Sequence, residues 1–257
     1  VSKNTATSIN PIDTKIVEHN HISDNVKELV LFAPEIVEQA KPGQFIHLKI
    51  TDGNEPLLRR PISIASVDLN NGLLTLIYRI AGNGTKKLAT LKQGDVVNCL
   101  GPLGNGFALD FQKPLLVGGG IGMAPLIFLA QRLLPCNIDI LMGGRTKTEM
   151  CWHELFQDIV EEIHITTDDG SLGTKGFTVD LLPDLLKTGK YDGIYVCGPH
   201  IMMEKVSAIA KEYNIKLEEA NKRNNTVLIK VVLMAYKKKI IDKQKATQIK
   251  EEVKKPT

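Results

Sequence analysis

The stretch PLLVGGGIGMAPLIFLAQRLL, residues 114–134, constrains the fold more than any other part of the chain. Its apolar start running into three glycines reads as a buried strand, and MAPLIFLAQRLL has the periodicity of a helix. A glycine turn between the two brings backbone N–H groups to the positive end of a helix, where a pyrophosphate is received. Gly120 and Gly122 are the glycines such a turn needs. Pro125 stands where the common dehydrogenase fingerprint has its third glycine, which points away from that version. The plainer alternative is a tight turn that needs glycine for positive φ.

The segments that follow keep the same rhythm. NIDILMGG, EIHITTDDG and YDGIYVCGP have strand character. TEMCWHELFQDIV, FTVDLLPDLLK and HIMMEKVSAIAKEYN have helical character. Alternating strands and helices predict a doubly wound parallel sheet over residues 111–219. Ligands of such sheets lie beyond the carboxyl ends of the strands. The acidic turn TTDDGSLGTKG and the Cys197-Gly198-Pro199 turn fall there. The Cys197 thiol either sits beside a nicotinamide ring or is a small buried residue.

Residues 1–110 have another pattern. KELVLFAP, GQFIHLKI, RRPISIASVD, GLLTLIYRIA and GDVVNCLGPLG are short apolar or alternating runs. Gly, Pro, Asn and Asp separate them at roughly ten- to twenty-residue intervals, which predicts an antiparallel barrel or sandwich. GTKKLATLKQGD has room for one short helix, and the domain boundary is expected near Asp110–Pro114. LLRRPISIAS sets two arginines beside a proline at a strand start. Arg60 and Ser63 are three apart, so alternation does not give them one face unless Pro61 disturbs it. They bind a phosphate or the polar edge of a flavin, or are surface residues. The Gly-Asn-Gly-Thr turn of YRIAGNGT is a phosphate cradle or an ordinary connection. GPLGNGF is a close-approach loop or a hinge.

Other chemistries find no support. The sequence has no G-x-S-x-G elbow, no metal-binding histidine pair and no triad, and its six histidines are mostly dispersed. Trp152 is expected in the core or an interface. Four cysteines (Cys99, Cys136, Cys151, Cys197) lack metal-ligand spacing and are expected as free thiols. No apolar run is long enough to span a membrane, and the first residues lack an apolar signal core, so a cytoplasmic protein without a membrane partner is expected. The net charge of +3 comes from the end of the chain. From Ala220 onward eleven Lys/Arg face three Asp/Glu, leaving 21 basic and 26 acidic residues before it. A nucleic-acid partner is not expected from that balance.

Taken in order, PGQF, LLRRPISI, YRIAGNGT, GPLGNGF, LLVGGGIGMAPL, DDGSLGTKGF and CGP resemble the ferredoxin–NADP reductase superfamily. Within it they are most similar to the electron-transfer subunits of bacterial NAD-dependent dihydroorotate dehydrogenases. The resemblance covers about residues 10–219. It implies an antiparallel FAD-binding β-barrel over 1–110 and a doubly wound NAD-binding domain over 111–219. Arg60, Pro61, Ile62 and Ser63 would meet the flavin ring and its phosphates. Ile77, Tyr78 and Arg79 would line the flavin, and Gly84 and Thr85 would hold its pyrophosphate. Gly120, Gly122, Cys197, Gly198 and Pro199 would receive NADH. NADH rather than NADPH follows from the resemblance; by sequence alone, Arg145, Asp168 and Asp169 form no basic cluster for a 2′-phosphate. No catalytic acid or base is needed for hydride transfer. The implied partner is an FMN-containing dihydroorotate dehydrogenase catalytic subunit, in a heterotetramer of two plus two. A stand-alone NAD(P)H-flavin reductase or ferredoxin reductase-like subunit is the alternative.

The resemblance also implies a 2Fe–2S cluster on four cysteines in a Cys-x4-Cys-x2-Cys…Cys arrangement near the C-terminus. IKLEEA reads as the approach to that region. Residues 220–257 instead form a basic tail with no cysteine, so no metal ligands are expected there. Its origin is an altered or out-of-frame C-terminus, a variant that lost its cluster, or a tail recruited to an acidic partner or a membrane surface.

Overall fold

A computed structural model of the chain describes residues 10–50 and 58–220. The basic tail from Asn221 and its expected lack of a cluster lie outside these residues. The two sheets fall within one compact unit.

The first sheet is a closed six-stranded antiparallel barrel. Its strands are β1 (Ile12–Ser23), β2 (Val26–Phe32), β3 (Phe45–Lys49), β4 (Arg60–Asp68), β5 (Leu73–Arg79) and β6 (Val96–Leu103), in the order β1-β2-β5-β4-β3-β6. Two short helices, α1 (Pro34–Val37) and α2 (Asn83–Leu88), interrupt it. Alternation along β4 and β5 sends Ile62, Ile64, Leu74, Leu76 and Tyr78 into the barrel core. Ala65 and Ile77 point out of the barrel and into the core of the second sheet.

The second sheet is parallel, ordered β10-β9-β8-β7-β11-β12. It runs through β7 (Pro114–Gly119), α3 (Met123–Leu133), β8 (Asp139–Gly144), α4 (His153–Phe156), β9 (Glu162–Thr167), β10 (Thr174–Lys175), α5 (Thr178–Lys187), β11 (Gly193–Cys197), α6 (His200–Glu212) and β12 (Lys216–Glu219). β7 and β11 are buried on both faces, which explains their continuous apolar runs.

One reading changes and two gain detail. TEMCWHELFQDIV is broken into a 3₁₀ turn at Lys147–Glu149 and the four-residue α4. Met150 and Trp152 are both buried but stand two apart, and no helix face accommodates that spacing. IKLEEA forms the edge strand β12, continued by a bond from Ala220 N to the Val196 carbonyl at 3.0 Å. GPLGNGF and the boundary after it are pinned. Phe107 N donates to Pro42 O at 2.9 Å, and the Tyr195 hydroxyl donates to Ala108 O at 2.6 Å. The Asp192 carboxylate accepts the N–H groups of Gln112 and Lys113.

α3 joins the two halves. Phe128 enters the barrel core, and Ser66 Oγ donates to Gln131 Oε1 at 2.8 Å. Burying a side chain of that size contributes about 1.5–3 kcal/mol. The joint therefore fixes the barrel against the glycine turn that opens α3.

Inside the barrel, His19 bridges Leu91 O and the Tyr78 hydroxyl, each at 2.8 Å. Burial is the main cause that lowers its pKa from 6.5, with Lys27 and His21 acting in the same sense. His47 is lowered by burial first and then by Arg59. Both rings fold in their neutral form. The stability they contribute is present above pH 6.5 and lost as the pH falls through the depressed folded values. The Tm is expected to fall over that window, and less steeply in a His19→Gln variant. Equal slopes for the two proteins would contradict this account.

Candidate functional site

The glycine turn meets the end of β11 backbone to backbone. A Cβ on Gly122 would lie 2.5 Å from the Cys197 carbonyl oxygen and 2.6 Å from Gly198 Cα. A Cβ on Gly119 would lie 2.7 Å from Met202 sulfur and 3.1 Å from Pro199 Cδ. Gly120 has φ +54°, a conformation that side chains disfavour. Gly120, Gly122, Cys197, Gly198 and Pro199 thus converge although 75 residues separate Gly122 from Cys197 in sequence. Burial pushes the Cys197 thiol up to about 12, so it is neutral near pH 7.

This junction borders a cavity of about 410 Å³ at the carboxyl ends of β7, β8 and β9. Arg79, Gly120, Arg145, Glu149, Phe177 and Lys205 are among its lining residues. Glu149 Oε2 accepts the Arg145 N–H at 3.0 Å, and its Oε1 accepts Arg145 Nε at 2.8 Å. The hydrogen bond from the Arg145 side chain holds the Glu149 carboxyl below its usual range. Asp168 also lines the cavity. Asp169 is instead taken up by its own turn, accepting Ser171 N and Ser171 Oγ at 2.9 and 2.6 Å.

On the barrel side, β4 and β5 pair only from Ile64↔Leu76 onward. Arg60–Ser63 and Ile77–Arg79 are not paired with each other and hold their places through β3 and β2 respectively. The Arg60 guanidinium fills the space beside Gly84, where a Cβ would lie 2.0 Å from its Nε. Arg79 points at the glycine turn, its Nη2 3.4 Å from where a Gly120 Cβ would be, and its buried Nε has no hydrogen-bond partner among the described residues.

Alternation keeps Ser63 on the opposite parity from Arg60, and Pro61 does not undo this. Ser63 is half-buried and Ile62 lies in the barrel core. Tyr78 corrects one expectation. Its ring is 1% exposed in the barrel core with its hydroxyl on His19, so its side chain does not line the cleft. Ile77 is buried against the second sheet. The Thr85 hydroxyl accepts the N–H groups of Ala81 and Gly82, so it shapes its own turn. What α2 offers outward is the N–H groups of its first turn, which no helix satisfies internally.

Sequence reasoning named the glycines and Arg79 but missed Glu149, Phe177, Ile201, Met202 and Lys205 as cavity residues. Only their position just after strands, or at the start of α5 and α6, signals them.

Comparisons with known proteins place the chain in a family. The profile of an oxidoreductase FAD-binding domain matches residues 13–107. The dihydroorotate dehydrogenase B (NAD(+)), electron transfer subunit of Desulforamulus reducens is 40% identical over 207 residues, 79% of each chain. The protein of that name in Lysinibacillus sphaericus is 42% identical over 213 residues, 80% of this chain and 81% of that one. Among solved structures, the NADH-dependent reduced ferredoxin-NADP oxidoreductase of flavin-based electron bifurcation is similar with a TM-score of 0.71. It is 30% identical, over 80% of this chain and 75% of that one. The ferredoxin NADP+ reductase of Neisseria gonorrhoeae, solved with bound FAD and NADP, shares the fold with a TM-score of 0.65. It is 17% identical, over 82% of this chain and 98% of that one.

Proposed function

Because the chain belongs to the family of dihydroorotate dehydrogenase B (NAD(+)) electron transfer subunits, we propose that it passes electrons between NADH and the FMN catalytic subunit of a dihydroorotate dehydrogenase, through FAD. The observation that carries this reading is a pair of close-packed glycine sites with an arginine between the sheets. Arg60 lies over Gly84 on the barrel, Gly120–Gly122 lies against Cys197–Pro199, and Arg79 reaches from β5 to the Gly120 turn. We assign residues 1–110 to holding FAD, 111–219 to holding NADH, and the partnership to two of each subunit.

The residues fit FAD. The space beside Gly84 that a Cβ would fill, the Arg60 guanidinium there and the unpartnered Arg79 Nε are suited to a diphosphate and the polar edge of a ring. Arg60, the first-turn N–H groups around Gly84 and Thr85, and Ser63 would hold it, while Tyr78 would contribute backbone alone. A bound FAD supplies two-electron acceptance and one-electron release. The protein's part is position. The glycine turn and the Cys197–Pro199 turn set where a nicotinamide rests. Cys197, a neutral thiol, provides packing rather than proton transfer.

The residues present do not fit a 2Fe–2S cluster. The 257 residues hold four cysteines, none after Cys197, and the cysteines make no cluster of three ligands among the described residues. No electron step is routed through one. That same observation favours a second reading, a stand-alone NAD(P)H reductase with another acceptor.

The test is anaerobic addition of NADH to the FAD-loaded chain, followed by the FMN subunit. Bleaching of the flavin band and then reduction of the partner's FMN is expected. Bleaching without onward transfer selects the stand-alone reductase, and a flavin that NADH leaves oxidised overturns both readings.

A further inference from the structure

A second cluster lies at the amino-terminal ends of β8 and β9, remote from the cavity at their carboxyl ends. Asp139 opens β8 and pairs with Glu162, which opens β9. His164 stands two residues further on, opposite Leu141. Side chains alternate along a strand, so all three share the face that α5 and α6 cover. One oxygen from each carboxylate and one His164 nitrogen lie within 4.8 Å of one another.

Asp139 is used on one side only. Asp139 is 1% exposed, and its Oδ2 accepts the Tyr191 hydroxyl at 2.7 Å and Lys190 Nζ at 2.8 Å. Its Oδ1 is buried with no hydrogen-bond partner among the described residues, and so is His164 Nε2. Glu162 sets Oε1 3.6 Å from Lys190 Nζ and Oε2 3.4 Å from His164 Nε2. The Lys190 ammonium reaches Asp139 Oδ2 and Glu162 Oε1 and leaves Asp139 Oδ1 without a partner. An orphaned buried carboxylate oxygen is costly unless something positive reaches it.

We infer that Asp139, Glu162 and His164 form a binding site for a divalent transition-metal ion of the zinc class. An imidazole with two carboxylates suits such an ion, whereas hard cations such as Mg²⁺ and Ca²⁺ prefer oxygen alone. Tyr191 holds the far oxygen of Asp139 and orients the ligand, a supporting role that tunes metal sites. Lys190, 36% exposed on a flexible stem, is the internal competitor that yields when the ion enters. The ion ties the first residues of two neighbouring strands together and leaves the nucleotide cleft untouched.

The experiment is titration of the full FAD-loaded chain with Zn²⁺ by calorimetry, beside Glu162→Gln, His164→Asn and Lys190→Met. Unchanged KM for NADH reports that each variant folds. One ion per chain is expected, bound at least ~10-fold more weakly by Glu162→Gln and His164→Asn and more tightly by Lys190→Met. Failure of the wild type to bind would overturn the inference. So would equal affinity in the first two variants, which is how zinc held by the cysteines would behave. Weaker or unchanged binding by Lys190→Met would overturn the inference too, because an ion held by these three side chains must displace the Lys190 ammonium.

Discussion

Gly122→Ala is expected to raise the KM for NADH by about 100-fold while FAD stays bound. The added Cβ would sit 2.5 Å from the Cys197 carbonyl oxygen and 2.6 Å from both the Cys197 carbonyl carbon and Gly198 Cα. All three are backbone atoms at or just past the end of β11, so no side chain can turn away to make room. The glycine turn and the Cys197–Pro199 turn must separate by about an ångström, and a displacement of that order costs roughly 10²-fold in a positioned reaction. Overpacking also lowers stability, by about 1–3 kcal/mol. The Arg60–Gly84 cradle lies elsewhere, in the barrel wall, so flavin content separates the local effect from general unfolding. KM for NADH and the FAD-to-protein absorbance ratio, measured together, decide it. An unchanged KM would mean that the two turns do not form the nicotinamide site.

Arg60→Ala is expected to weaken FAD retention by roughly 10- to 100-fold, the loss of a charge-assisted hydrogen bond worth about 1.5–3 kcal/mol. The guanidinium lies against Gly84, the second residue of α2, so a flavin phosphate held by it would also meet the N–H groups of that first turn. Arg60→Lys should recover only part of the affinity, because an ammonium is a point charge and cannot offer the planar fork. Equilibrium dialysis against FAD checks both variants. Full retention of FAD by Arg60→Ala would place the flavin phosphates somewhere else.

What the sequence revealed depended on how each element encodes itself. β7 and β11 are buried on both faces, and their apolar runs with terminal glycines were plain. β1 was not recognised. Its buried positions are few, its other face carries Asp13, Lys15, Glu18 and Asn20, and register shifts after Ile16 and His21 break the alternation. The α4 region misled because a two-residue spacing of buried side chains was hidden within an otherwise helical composition.

The site divides in the same way. Glycines are legible because close approach leaves little room for a Cβ, of backbone at Gly122 and of the Arg60 side chain at Gly84. Tyr78 was placed from a motif that fixes its backbone, yet strand parity turned its ring into the barrel. Glu149 and Lys205 carry no local signal, since only the fold brings them to the cavity.

The central claim is that one cleft brings a nicotinamide and a flavin to contact distance. It is tested most directly by rapid anaerobic mixing of the FAD-loaded chain with NADH, and with NADH deuterated at the transferred position of C4. Prompt bleaching of the flavin band, slowed by the deuterium, is predicted. A flavin that dithionite reduces but NADH leaves oxidised would contradict the account.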